Sequence, residues 1–174
     1  SWQDLLDPAW KGQIVMPNPA SSGTGYFHVS AWLQMMGEEK GWAYLDALDR
    51  NIAIYVHSGT KPCRMAANGE FAVGISYELA GATAKQQGAP IEPLLMKEGG
   101  GWDMGATAIL KGAKNLEAAK VLADWSASRE ANVMYSKNLA VVAIDGIKSD
   151  IPGYPPGVEQ SMIKNDFAWA AANR

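Results

Sequence analysis

The stretch Gln13-Ile14-Val15-Met16-Pro17-Asn18-Pro19-Ala20-Ser21-Ser22-Gly23-Thr24-Gly25-Tyr26 decides the fold. Gln13–Met16 reads as a short strand and Pro17-Asn18-Pro19 as a loop, and Tyr26, Val29, Leu33 and Met36 then recur at helical spacing up to a stop at Gly37. A strand that runs through a Ser/Gly/Thr loop into a helix leaves unpaired backbone N–H groups and a positive dipole end. Glycine lets the backbone come close to a ligand, and the hydroxyls add donors. The same phrase returns at Ser58-Gly59-Thr60, after the apolar run Ile52–Val56 and before a helical pattern that starts near Pro62. Two such loops suit convergence on one small anion. They also suit two ordinary strand-to-helix turns, where Ser, Thr and Gly are common caps.

Outward from this core, Trp2, Leu5 and Leu6 form a helical turn, and Trp42, Leu45 and Leu48 a second helix ending near Asn51. Phe71–Ser76 is a near-continuous apolar run, as expected of a strand buried on both faces. A helix over Glu78–Gln87 ends at Gly88, and Ile91–Met96 is the next expected strand. The composition changes at Glu98-Gly99-Gly100-Gly101-Trp102-Asp103, the best candidate for a boundary. Beyond it Met104–Leu110 reads as a strand, Asn115 as the cap of an amphipathic helix, Arg129–Ser136 as a helix and Leu139–Ala143 as a short strand. A proline-rich loop over 151–157 and a helix over Asp166–Arg174 complete the pattern. Strands alternating with helices predict an α/β fold with a mainly parallel sheet.

Composition narrows the function. The 174 residues suffice for one domain or two small lobes, and 48% apolar with 19% charged residues fits a globular protein with a sizeable core. A net charge of −3 with no basic run argues against nucleic acid as a partner. Cys63 is the single cysteine, which excludes an internal disulfide and a multi-cysteine metal site. His28 and His57 are the only histidines, so a multi-histidine metal centre is excluded too, and no cofactor is expected. No apolar stretch reaches the ~18 residues of a membrane span, and no signal peptide is present, as expected of a mature, cytoplasmic or partial chain. Nucleotide-binding loops are absent, since Gly99-Gly100-Gly101 opens no helix and no Gly-x-x-x-x-Gly-Lys motif occurs.

The candidate site residues follow from these elements. Ser21, Ser22, Gly23 and Thr24 in the first loop, and His57, Ser58, Gly59 and Thr60 in the second, can meet an anion; His57 is alternatively a structural histidine. Tyr77 and Glu78 follow the carboxyl end of the expected Phe71–Ser76 strand, the edge where open α/β sheets bind ligands. Glu78 is alternatively a helix-capping charge. Trp102 and Asp103 are either a wall and a carboxylate of a cleft or a packed hinge. A Cys63 nucleophile with His57 as base defines a rival hydrolase reading.

Trp2-Gln3-Asp4-Leu5, Asp7-Pro8-Ala9-Trp10-Lys11-Gly12, Asn18-Pro19-Ala20-Ser21-Ser22-Gly23-Thr24, Gly99-Gly100-Gly101-Trp102-Asp103-Met104-Gly105 and Lys111-Gly112-Ala113-Lys114-Asn115-Leu116 resemble extracellular solute-binding proteins of ABC importers. The nearest branch groups ferric-iron binders with 2-aminoethylphosphonate binders. The resemblance implies a type II periplasmic-binding-protein fold, two α/β lobes joined by crossing strands, and no enzymatic activity. It implies that residues 1–12 cross from a first lobe missing here, 13–97 form lobe two, 98–103 cross back, and 104–174 belong to lobe one. It also implies an exported, periplasmic protein, with a membrane permease, a small anionic solute, and the missing lobe or a second copy as partners. The ferric-iron relatives carry adjacent tyrosines where this chain has Ser76-Tyr77-Glu78, so a hard cation would lose a phenolate ligand. A phosphonate-like anion such as 2-aminoethylphosphonate is the expected solute, with Glu78 or Asp103 near its ammonium. Ferric iron, and the effector domain of a transcription regulator, are the alternatives.

Overall fold

A computed structural model describes residues 1–138, 141–148 and 151–174. The chain forms two compact units, Ser1–Trp102 with Gly153–Arg174, and Asp103–Pro152. The expected 104–174 segment is thereby divided between them.

The first unit is built on β1 (Ile14–Pro17), which lies between β2 (Ile52–Val56) and β3 (Val73–Gly74), all parallel. A central strand covered on both faces has no use for polar residues, and Ile14, Val15 and Met16 are all buried. With Ile14 and Met16, the side chains of Trp2, Leu5, Trp32, Tyr44, Leu48 and Ile75 make one core cluster. Helices α1 (Gly23–Met36), α2 (Glu38–Asp49), α3 (Lys61–Ala67) and α4 (Glu78–Gln86) connect and flank the strands. The turn between α1 and α2 needs the positive φ of Gly37, 79°. α2 approaches α1 through Gly41, where a Cβ would stand 2.8 Å from Leu33 Cδ2.

The opening turn is tied to the glycine crossing. Trp2 Nε1 donates to the Gly99 carbonyl at 2.8 Å, and the Trp2 amide donates to Glu98 Oε2 at 3.2 Å. On the other side of the crossing, Gly100 N donates to Ser161 O and Ile163 N returns a bond to Gly100 O. Short helices α7 (Val158–Ser161) and α8 (Phe167–Ala172) flank that contact.

Four strand expectations change. Phe71–Ser76 narrows to Val73–Gly74 and lies at a sheet edge, half-buried, instead of inside the sheet. Val73 and Ile75 pack on the core cluster, while Gly74 lies against Pro62 and Ala66 of α3. Ile91–Met96 and Met104–Leu110 form no strand, because neither finds a partner ladder among the described residues. Leu110 is 81% exposed. Of Leu139–Ala143, Leu139 and Ala140 lie outside the described residues, and Val141–Ala143 is not strand. α1 starts at Gly23, three residues before Tyr26, since Ser22 in extended conformation (φ −127°) caps it by accepting from Gly25 N.

The second unit contains α5 (Leu116–Ser126) and α6 (Arg129–Tyr135). Ser128 caps α6 by accepting from Ala131 N at 3.2 Å. Asn115 holds the N-cap position of α5 but makes no side-chain capping bond, and no residue of α5 is buried.

Candidate functional site

Parallel pairing decides where the two Ser-Gly-Thr loops go. Pro17 at the end of β1 stands opposite Val56 at the end of β2, so both strands deliver their loops to the same carboxyl edge. The loops are cross-braced there. Asn18 N donates to Val56 O at 2.8 Å, and Ser21 Oγ lies 2.5 Å from His57 Nδ1. Gly59 packs so closely on Thr24 that a Cβ would overlap the threonine hydroxyl.

Each loop has its own internal logic. Asn18 folds the first, its Oδ1 accepting from Ala20 N at 2.9 Å and its carbonyl from Ser21 and Ser22 N. Gly25 is then forced against the strand end, where a Cβ would stand 2.5 Å from Pro17 O. Ser22 Oγ is occupied by the Gly25 amide, but the N–H groups of Gly23 and Thr24 have no acceptor among the described residues. In the second loop Ser58 Oγ meets Thr60 Oγ1 at 3.2 Å and accepts from Lys61 N at 3.2 Å. At this edge, therefore, α1 opens with free donors beside a row of hydroxyls and an imidazole.

The β3–α4 junction is tied to the second loop from the other side. Ser76 Oγ donates to Gly59 O at 2.6 Å. Tyr77 is the N-cap of α4 and exposed, and Glu78 Oε1 accepts from Tyr154 Oη at 2.9 Å. Burial pushes the Tyr154 phenol up, and the Glu78 charge adds to it, so it donates as a neutral group. His28, one turn past Thr24 on α1, contacts Ser76 O through Nε2 at 3.1 Å.

Trp102 and Asp103 are placed differently from each other. The Trp102 indole donates to Ile163 O at 2.8 Å and its ring meets Phe167 edge-on at 5.0 Å, a packed arrangement. Asp103 opens the second unit, its Oδ1 accepting from Met104 N at 2.8 Å. Cys63 is buried, which pushes its thiol up, while Nδ1 of His57 is taken by Ser21; no nucleophile–base pair forms between them. A separate open groove of about 400 Å³ lies on α1, lined by Tyr26, Trp42, Trp169 and Arg174, and none of the Ser-Gly-Thr residues borders it.

Sequence reasoning missed His28, Ser76 and Tyr154 as supports of this edge. The Thr24-to-His28 spacing of one helical turn was a usable signal for His28. Ser76 directly precedes Tyr77 at the strand's carboxyl end. Tyr154 reaches Glu78 from 76 residues away, and nothing local marks it.

The sheet thus carries two braced hydroxyl loops at its carboxyl edge, the edge at which open α/β sheets bind ligands. Residues 1–170 match the family of bacterial extracellular solute-binding proteins, and the chain belongs to that family. Its fold is that of type II periplasmic binding proteins. The chain is similar to the periplasmic binding protein AfuA from Actinobacillus pleuropneumoniae, solved with exogenous fructose-6-phosphate bound: TM-score 0.83, 36% identity, 97% of this chain and 54% of that one. It is similar to the periplasmic binding protein P5PA, with TM-score 0.82 and 34% identity over 98% of this chain and 55% of that one. An uncharacterized protein of Haemophilus influenzae is 38% identical over 129 residues, 74% of this chain and 37% of that protein. The chain thus spans about half the length of the two solved structures.

Proposed function

We propose that the protein is the periplasmic solute-capturing component of an ABC importer and that its carboxyl-edge loops hold the phosphoryl or phosphonyl head of a small solute. The observation that carries this is the cross-bracing of the loops, Ser21 to His57 and Thr24 against Gly59, which gathers the free donors of α1 and the hydroxyls of both loops at one place. An oxyanion there gains several charge-assisted hydrogen bonds at about 1.5–3 kcal/mol each before ordering costs. The phosphate ester bound in AfuA, at 36% identity, supports a head group of this kind.

In this reading Ser21, Ser22, Gly23, Thr24, His57, Ser58, Gly59 and Thr60 surround the head group. Tyr77 walls the tail and Glu78, oriented by Tyr154, receives its hydroxyl or ammonium. Trp102 and Asp103 lie at the crossing, Trp102 through packing. The opening turn and residues 98–103, bonded to each other through Trp2, are the interlobe crossings; the facing wall of the cleft and a membrane permease are the partners. A sugar phosphate and 2-aminoethylphosphonate present the same three oxygens to the loops and differ in what they offer Glu78.

Titration calorimetry of the intact protein with fructose-6-phosphate, 2-aminoethylphosphonate, inorganic phosphate and ferric citrate tests the reading. Heat from a phosphorylated or phosphonylated solute, with none from ferric citrate, is expected. Tight ferric binding that is lost in Tyr77→Phe, with no heat from the other compounds, overturns the choice of solute.

A further inference from the structure

We propose that His28 is a positioning residue for the solute loops, acting through Ser76; the inference rests on the phosphoryl-head reading above. The ring of His28 stacks on Trp32 with centroids 5.6 Å apart at 27°, and meets Trp2 at 5.8 Å and 69°. A carbonyl oxygen cannot donate, so in the 3.1 Å contact with Ser76 O it is Nε2 that carries the proton. Packing between two indoles asks only for a flat apolar ring, which phenylalanine would supply. The ring nitrogen is used for Ser76.

Ser76 faces both ways. Its carbonyl takes the His28 proton, and its hydroxyl donates to Gly59 O at 2.6 Å. Gly59 is the residue pressed on the Thr24 side chain. The path leaves α1 at His28, crosses the end of β3, enters the second loop at Gly59 and returns to α1 at Thr24. These contacts therefore close a ring beneath the proposed head-group site, and its anchor on the helix is one imidazole N–H. Without that donor the Ser76 carbonyl loses its partner, the β3–α4 junction is free to shift, and the hold on Gly59 loosens.

The test separates this from packing. His28→Phe keeps the stacked ring and removes the donor, whereas His28→Gln returns an N–H near the position of Nε2. In the intact protein, calorimetry with fructose-6-phosphate and inorganic phosphate should show binding weakened about tenfold in His28→Phe and within about threefold of wild type in His28→Gln. Without ligand, amide hydrogen exchange at Lys61 and Arg64, which are held by Ser58 Oγ and Thr60 O of the second loop, should quicken about tenfold in His28→Phe and in Ser76→Ala. The double variant should go no further than either single one, because both cut the same path. Unchanged exchange or unchanged affinity in His28→Phe overturns the positioning role, as do additive effects in the double variant, even if the melting temperature falls. A wild-type protein that binds neither compound, but whose exchange at these amides still quickens in His28→Phe, overturns the phosphoryl-head reading and leaves the support of Gly59 by His28 standing.

Discussion

Thr24 occupies the space in which a side chain on Gly59 would stand: a Cβ there would overlap Thr24 Oγ1 and lie 2.9 Å from Thr24 Cβ. Two loops separated by 34 residues are thereby fitted to each other at a single missing methyl group. Gly59→Ala should force them apart. We expect solute affinity to fall at least tenfold while stability falls by only about 1 kcal/mol, measured by calorimetry and thermal melts. Equal affinity in the variant would show that the loops do not share the solute.

Thr24→Ala removes one donor from the same junction without adding bulk. A lost charge-assisted hydrogen bond at about 1.5 kcal/mol or more predicts binding weaker by tenfold or more. Titration of the intact protein with the solute that gives heat to wild type measures it, and a change under twofold would remove Thr24 from the site.

Gly25 tests the scaffold instead of the site. A Cβ would stand 2.5 Å from Pro17 O and 2.9 Å from Asn18 O, both backbone atoms that cannot rotate away. Gly25→Ala should cost about 2–3 kcal/mol, more than the ~1 kcal/mol expected from losing the Ser22 cap in Ser22→Ala. Denaturant melts of the two variants give the order directly.

Burial between the indoles holds the pKa of His28 down at about 4, against the usual 6.5, with the bond to Ser76 opposing in part. Between those values the unfolded chain binds a proton that the fold does not. Stability therefore falls as pH drops from about 6.5 to about 4, by up to about 3 kcal/mol, and the contribution is fully present above 6.5. Melts across that range should show a slope that His28→Gln flattens.

The second unit leaves apolar side chains in the open. Val121 is 70% exposed on α5, with Leu122 and Trp125 also exposed, and Leu110 lies uncovered nearby in sequence. Uncovered apolar faces of this kind associate. The 174-residue chain by itself should self-associate in sedimentation experiments, and Val121→Lys with Leu122→Glu should reduce that association.

Much of the scaffold was legible from local signals. Ser22 before Gly25, Gly37 after Met36, Pro62 inside the first turn of α3 and Asn68-Gly69 after it are short-range choices whose energetics involve one or two turns of chain, so the helix order could be read from residues alone. Ile14-Val15-Met16 was legible as a short apolar strand, but burial on both faces was expected of Phe71–Ser76, and it is β1 at the sheet centre that has it. Strand status elsewhere was not, since a strand exists only through its neighbour: Phe71–Ser76, Ile91–Met96 and Met104–Leu110 look alike in sequence, and only Val73–Gly74 of the three segments pairs with β1. The site divides along the same line. Ser21, Thr24, His57 and Gly59 were readable as donor-rich helix starts, but their meeting depends on the parallel register of Pro17 with Val56. Ser76, Tyr154 and His28 reach Gly59, Glu78 and the Ser76 carbonyl through bonds spanning 17, 76 and 48 residues, and contacts of that range leave no local trace in composition or periodicity. The chain alone determined which residues can donate; the tertiary structure decided which of them stand together, because proximity across the sheet edge is a property of strand pairing and not of any one segment.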